Sequence, residues 1–579
     1  EKAKKVKDVV EEDEKKMFIT EATALSQAET LCRSLLDDRE KKEIEFFKCV
    51  KAGLCKVAGK GKVTANGKPV AGVQVSDGRT IVLTDTKGRY TLKTDKADSI
   101  VFITTPSGYI ARKIDPLRPG FWHLLTEPSG KKEEHNFYLV PQDQSKYSVI
   151  FITDTHFAAD PSRNDLKRFK STVMPVIRRE YSEASSKGAV VSVNLGDFSH
   201  DRYWYDFGLN ESAAERFLAM AGYPMTLYSI SGNHDNDGAI AGLGDRTDFE
   251  SAWNYRHTWG PACYSVNIGG DHWIFMDSVE YINDGEPDAK HKNINGRRNY
   301  VCRFLDKDIE WLRKDLSFVS PGSRIFLCCH VPLLNDASKS EVMIPGQAAI
   351  LDELFKDFPT VYVFSGHTHK NIKTSSGDFP RFKQFIFGAT SGSMWQHPVG
   401  YQAIGSDASE QAINVLDCTV ADPSPRYVAI SGNPSTMRIY DLNAVGDFYR
   451  NDAGCRRFHE LYPERSWYAD PAYANMVYVN YWGYAPGQKV EMFENGNPLE
   501  VSKTAKDDPL YVITYITPKL DKDSKASKSN MKDRKNPHSF VATAASATAP
   551  ILVRVSDADG NIVCEQTLVR PKAFDKNAK

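Results

Sequence analysis

Seven residues of metal-ligand type stand in five short clusters along one stretch of the 579-residue chain. Asp154 and His156 form a D-x-H, and Asp197 closes a G-D. Asn233 lies in a G-N-H-D with His234 and Asp235, His330 ends an apolar run, and His367 and His369 form a G-H-x-H. Carboxylates, imidazoles and a side-chain amide are hard and borderline donors, suited to divalent ions such as Mn, Fe or Zn. Two such ions ~3.5–4 Å apart need one group shared between them, and together they activate water and stabilise a transferring phosphoryl group. A single D-x-H or G-D means almost nothing. Five clusters in order, each closing an apolar run, are not the pattern of scattered core or surface polar residues.

Those runs are the elements that must position the clusters. SVIFITD (Ser148–Asp154), AVVSVNLGD (Ala189–Asp197), MTLYSISGNHD (Met225–Asp235), HWIFMD (His272–Asp277), RIFLCCH (Arg324–His330) and VYVFSGHTH (Val361–His369) read as buried strands. Helical stretches around Arg168–Ser186, Asp306–Leu316 and Gln347–Phe358 alternate with them. The alternation predicts an α/β layered domain, in which ligands gather at the carboxyl ends of strands. The pleat of a strand end is expected to aim Asp154 and His156 to one side, and likewise His367 and His369. The glycines before Asp197, Asn233 and His367 leave room for tight turns.

Either side of this region the texture changes. Residues 1–53 are charged and helix-prone and read as an amphipathic N-terminal arm. From 54 to 143, short β-branched runs broken by Asn66-Gly67, Asp77-Gly78 and Lys87-Gly88 predict a small β-sandwich. The catalytic region is expected over 144–413. From 414 to 579, hairpin-like runs such as RYVAIS, MRIYDL, MVYVNYW, LYVITYI and APILVRVSDADGNIV predict a β-rich domain. Pro518–Pro537, dense in Lys, Ser and Asp, reads as a long loop. The formal net charge of -1 shows no basic excess of the kind nucleic-acid binders carry, and no apolar run approaches the length of a membrane span. The ten cysteines include no C-x-x-C, and Cys328 and Cys329 read as core residues.

Taken together, D-x-H, G-D, G-N-H-D, H and G-H-x-H resemble the motif set of the calcineurin-like metallophosphoesterase superfamily, over roughly Lys146–Ile413. The resemblance implies a central four-layer α-β-β-α sandwich and two divalent metals. One would be held by Asp154, His156, Asp197 and His369, the other by Asp197, Asn233, His330 and His367, with Asp197 bridging. It further implies attack by a metal-bridging hydroxide, His234 as general acid, and Asp235 orienting His234. The substrate would be a phosphomonoester or phosphodiester on a small molecule, glycan or lipid. The β flanks are similar to those of exported bacterial members, which implies a periplasmic or envelope location and a leader removed from the chain. Two departures stand out: His200 occupies the place of the purple acid phosphatase tyrosine, and Asp201-Arg202 is displaced by one from the protein-phosphatase pattern.

Other residues carry weaker readings. His200, Arg202, Tyr203 and Trp204 either shape a substrate pocket or form an exposed aromatic loop. Arg297 and Arg298, within a long insertion, read as surface charge or as a grip on a second phosphate. Met394-Trp395-Gln396-His397 either lines the entrance or packs. His135, His257, His272, His291, His459 and His538 show no partner pattern. The competing function is a non-catalytic envelope or surface binding protein with a vestigial metal site; such a site usually loses ligands, and none is missing here.

Overall fold

The computed structural model describes residues 57–127, 130–283, 299–334, 343–397, 403–520 and 536–576. The arm at 1–53, His291, Arg297, Arg298 and most of the stretch at 518–537 lie outside the described residues.

The expected apolar runs form two sheets. The first has the order Leu227–Ser229, Ala189–Asn194, Tyr147–Ile152, Ala412–Asp417, Arg426–Ala429; its first three strands are parallel and the last two antiparallel. The second runs Tyr264–Ile268, Asp271–Met276, Ile325–Cys329, Val361–Ser365, Phe382–Ile386, Ile372–Thr374, with four parallel strands between two antiparallel edges. Parallel strands buried on both faces must be apolar throughout, and Ile325–Cys329 and Val361–Ser365 are buried at every position.

The sheets meet through aromatic rings. Phe151 of the first lies 4.8 Å from Phe364 and 6.3 Å from Trp273 of the second, and Trp273 stacks on Phe326 at 4.4 Å. On the outer face of the first sheet, Met174 and Ile177 of helix Met174–Ser185 pack against Ile150 and Ile152. That helix is entered through a π-helical turn, Phe169–Val173. Helices Asp306–Leu316 and Gln347–Leu354 cover the second sheet. The result is the expected α-β-β-α layering.

The N-terminal region is two small sheets whose core runs straight into the central one. Phe121 lies 4.8 Å from Tyr264, Phe102 lies 6.0 Å from Trp311, and the Trp311 indole donates to Ser76 at 3.1 Å. The C-terminal region pairs two four-stranded sheets, with Val477, Val479, Met492, Ile551 and Val553 between them.

Two expectations need correcting. The boundary placed at 413/414 divides strand Ala412–Asp417, in which Phe151 pairs with Asn414, so RYVAIS belongs to the first catalytic sheet and not to the C-terminal domain. Its apolar alternation is the same in either setting, and only the pairing partner distinguishes them. LYVITYI is helical rather than extended: Pro509–Tyr511 leads into a π-helix at Val512–Ile516. Asp508 caps it by accepting from the Leu510 N–H at 2.8 Å, and burial on all sides overrides β propensity. Helices Leu442–Asn451 and Ala453–Leu461, capped by Asp441 and Asp452, also interrupt the expected β texture. Among the described residues no helix is long and apolar enough to cross a membrane.

Candidate metal centre

Each cluster lies just past the end of its strand, and the backbone there leaves the pleat. Asp154, His156, Asp197, His367 and His369 have φ of 49°, 46°, 51°, 66° and 56°. The pairs in D-x-H and H-x-H are therefore brought together by left-handed residues, not by strand alternation as expected. Side-chain-bearing residues avoid this region, and holding them there costs ~1–3 kcal/mol each unless neighbours over-determine it. The neighbours do so: Asp154 N–H donates to Gly196 O, His156 N–H to Asp197 O and Gly366 N–H to His330 O, each at 3.0 Å. The three glycines permit the close approach. A Cβ at Gly196 would lie 2.6 Å from His330 Nδ1, and one at Gly232 or Gly366 would collide with the Asp197 or Asp154 carboxylate.

Seven side chains converge in two adjoining nests. In the first, His156 Nε2 and His369 Nε2 are 3.0 Å apart, and His369 Nε2 is 3.1 Å from Asp154 Oδ1. In the second, Asn233 Oδ1 is 2.9 Å from His367 Nδ1 and 3.3 Å from His330 Nε2. Asp197 Oδ2 stands between them, 3.8 Å from His156 Nε2 and 3.3 Å from His330 Nε2. The other atoms of these groups are tied away: Asp197 Oδ1 accepts from the His234 N–H at 2.8 Å, and Asp154 Oδ2 from Thr153 Oγ1 at 2.7 Å. His330 Nδ1 donates to Leu195 O at 2.7 Å, which leaves Nε2 for the nest.

The donor set fits divalent metals. Asp154 Oδ1 is buried with no hydrogen-bond partner. Burial pushes His156 well down and His367 to about 3, the neutral form that ligates. His330 is the exception: burial lowers it, but the Asp197 carboxylate outweighs that and raises it to about 9, so the centre draws a positive charge to this point.

Beside the nests His234 is partly exposed, and its Nδ1 lies 2.8 Å from Asp201 Oδ1. Asp235 does not orient it. The Asp235 carboxyl faces the other way, accepting from the Ser199 N–H at 3.0 Å and the Gly232 N–H at 2.8 Å. In a turn this tight, adjacent side chains point apart, so the residue after His234 cannot reach its ring. Burial and the nearby Glu211 hold the Asp235 pKa well above the usual carboxylate range. Asp201 is the orienting residue that sequence reasoning missed; its place four positions beyond Asp197 was the available signal. His200 is buried, with its ring 4.4 Å from His234 and 5.3 Å from His156, and burial pushes it down to about 3. Ligating atoms of His156, His200 and His234 lie within 4.8 Å of one another.

A cleft of about 210 Å³ opens onto the centre, lined by Asp197, Asn233, His234, Tyr300, Thr368, Met394, Tyr511 and Tyr515, among others. Met394 lines it, whereas Trp395 is core and donates to Thr155 O at 2.7 Å. Gln396 accepts from Tyr515 OH at 3.0 Å, and His397 is buried beside Arg168 at 3.2 Å. Trp204 is likewise core, donating to Ser199 Oγ at 2.8 Å, and Tyr203 meets Arg163 at 2.6 Å. Tyr511 and Tyr515 come from the helical LYVITYI segment and stack at 5.0 Å. Read as strand residues, they gave no sign of this role. His272, between Asn267 and Asp315, and His538, between Asn480 and Asp407, are buried structural residues.

Comparison with known proteins agrees with this geometry. Family models match along the chain: "N terminal of Calcineurin-like phosphoesterase" at 57–142, "Calcineurin-like phosphoesterase" at 147–371, and "C terminal of Calcineurin-like phosphoesterase" at 384–562. Solved structures similar to the chain include a dimetal phosphatase from Danio rerio, 12% identical, covering 49% of this chain and 99% of that one with a TM-score of 0.31. A sulfate thiohydrolase from Thermus thermophilus is 11% identical, covering 60% and 76% with a TM-score of 0.30. A 5'-nucleotidase from Candida albicans is 13% identical, covering 49% and 52% with a TM-score of 0.28. Likenesses this distant carry no argument about activity. No curated protein matches the chain.

The different placements of the two aspartates are testable by urea denaturation. Asp235→Ala strips two buried backbone N–H groups of their acceptor and is expected to cost ~2–4 kcal/mol, whereas Asp201→Asn should stay within ~1 kcal/mol. Equal losses would contradict the bracket role of Asp235.

Proposed function

This chain belongs to the calcineurin-like phosphoesterases, hydrolases of phosphoester bonds, and from that premise we propose a two-metal hydrolysis in which His234 protonates the leaving group. Asp154, His156, Asp197 and His369 would hold one ion, and Asp197, Asn233, His330 and His367 the other. The observation that carries the reading is the position of Asp197 Oδ2, a common corner of both donor nests. Divalent ions bound there, Mn, Fe or Zn, would supply an activated water at neutral pH and offset charge on the phosphoryl oxygens.

The chain's own residues do the rest. The Asp201 carboxylate accepts from His234 Nδ1–H, which fixes the ring and leaves Nε2 for the substrate side. His234 is a partly exposed imidazole on the cleft wall that belongs to neither donor nest, so its proton can reach a departing alkoxide. His200 is buried behind it and excludes water from that side. Tyr511 and Tyr515 give the leaving group an aromatic wall, and the cleft suits a phosphorylated small molecule or the head of a glycan or lipid. All seven donors are present and converge, which favours catalysis over a vestigial site. The similarity of the flanking β modules to those of exported members supports a periplasmic or envelope location.

Asp197→Asn is expected to deplete metal at both positions and His156→Ala mainly at one, read as metal per chain by elemental analysis. Two metals retained in Asp197→Asn would remove the bridging assignment. His234→Ala should slow an alkyl phosphate ~10²–10⁴-fold, p-nitrophenyl phosphate far less, and leave metal content unchanged. Asp201→Asn should shift the same ratio of kcat/KM values in the same direction. A uniform loss on both substrates with depleted metal would mean that His234 merely props the ligand loop. Fractionation of the native host checks location, and protein found only in cytosol would end the export reading.

A further inference from the structure

A second cavity, of about 160 Å³, lies where the two catalytic sheets meet the C-terminal region. Lys373 on the edge strand Ile372–Thr374 contributes one wall, and Phe385 and Phe387 on the neighbouring chain another. Tyr427 comes from the first sheet, and Tyr481 and Trp482 from the C-terminal sandwich. No residue of this cavity also lines the metal cleft.

Two of its polar groups stand without a partner. Among the described residues, Lys373 has no hydrogen bond or ion pair; burial lowers its pKa, and no carboxylate opposes that. The Trp482 indole N–H is buried with no acceptor, in a residue only 3% exposed. The Arg438 guanidinium lies behind the Trp482 ring, 5.3 Å from its centroid, and is occupied elsewhere: Nη1 donates to Ala408 O at 2.8 Å and Nη2 is 3.7 Å from Glu410 Oε1. Lys and Trp side chains only donate, and buried donors are nearly always satisfied. What Lys373 and Trp482 lack is an acceptor, and the one that suits Lys373 is negative. The walls are aromatic faces, which favour a flat apolar body. The volume sets the size, since a cavity of ~150 Å³ accommodates one benzene ring.

We propose that this cavity is a binding site, separate from the metal centre, for a small ring-bearing carboxylate whose anionic end meets Lys373. Such an occupant would rest on the segment that carries a metal-nest residue. Asn371 stands two positions after His369; its N–H donates to Asp407 Oδ2 at 2.7 Å, and Ser406 Oγ donates to His369 O at 3.0 Å.

Calorimetric titration of the metal-loaded full chain with benzoate tests this, with benzamide as the neutral isostere. Benzoate should saturate one site per chain, and benzamide should bind ~10-fold more weakly or worse, as expected when a charge-assisted hydrogen bond is lost. Lys373→Met, which keeps an unbranched stem and removes the ammonium, should weaken benzoate by a similar factor; Trp482→Phe, which removes the N–H with part of the ring, should weaken it ~3-fold or more. Benzoate should not compete with p-nitrophenyl phosphate in steady-state assays. The site is refuted if benzoate shows no saturable binding, if benzamide binds equally well, if both folded variants bind benzoate as the unmodified chain does, or if benzoate inhibits competitively. Competitive inhibition would place it in the metal cleft. The comparison of benzoate with benzamide needs no variant, so the test survives a substitution that fails to fold.

Discussion

The catalytic end of this molecule depends on one carboxylate being divided between two tasks. Asp197 Oδ1 is held by a backbone N–H of the next cluster, so Oδ2 has to face both nests. That division requires the loops carrying His156, Asn233 and His330 to approach within touching distance. Ordinary strand ends cannot bring five loops so close, because each Cβ would occupy the space that a neighbour's backbone needs. The left-handed residues and the clustered glycines resolve this, and interstrand hydrogen bonds between the loops hold the strained backbone in place. The strain is offset by the packed aromatic layer beneath, where Phe151, Trp273 and Phe364 fix the two sheets against each other.

Much of this was legible in the sequence, and what was not has a physical cause. The seven donor residues and their strands were readable because parallel strands buried on both faces leave continuous apolar runs, and each run stopped at a cluster. The path of the backbone beyond those stops was not readable. A D-x-H motif looks the same whether the residues alternate on a pleat or turn left-handed. The family resemblance implied that Asp235 orients His234, but the turn sends the two side chains apart, and Asp201 arrives from another loop. Arg426–Ala429 and LYVITYI were misassigned for a related reason. Their residues favour extended structure, yet pairing partner and burial decide where one strand goes and whether the other segment is a strand at all.

The flanking regions are not appendages. Strand Ala412–Asp417 completes the first sheet beside Tyr147–Ile152, so the strand that delivers Asp154 is flanked on one side by chain from well beyond the last metal cluster. The N-terminal sheets cover helix Asp306–Leu316 through Phe102 and Ser76, and the C-terminal region returns two tyrosines to the cleft.

Electrostatics explains why Asp235 and Asp201 sit so close in sequence to the centre and behave so differently. The nests already contain two carboxylates, Asp154 and Asp197, both buried. A third buried charge beneath them would be destabilising, and burial, Glu211 and Asp197 together push the Asp235 pKa up. Glu211 is raised as well, chiefly by burial, and it accepts from the Trp259 indole at 2.8 Å. The Asp235 carboxyl accepts two backbone N–H bonds, one on each oxygen, and so braces the G-N-H-D turn. Asp201, by contrast, lies against the His234 imidazole, its Oδ1 2.8 Å from Nδ1. Two aspartates that read alike in the sequence are thus separated by what each one faces: a backbone turn in one case and an imidazole in the other.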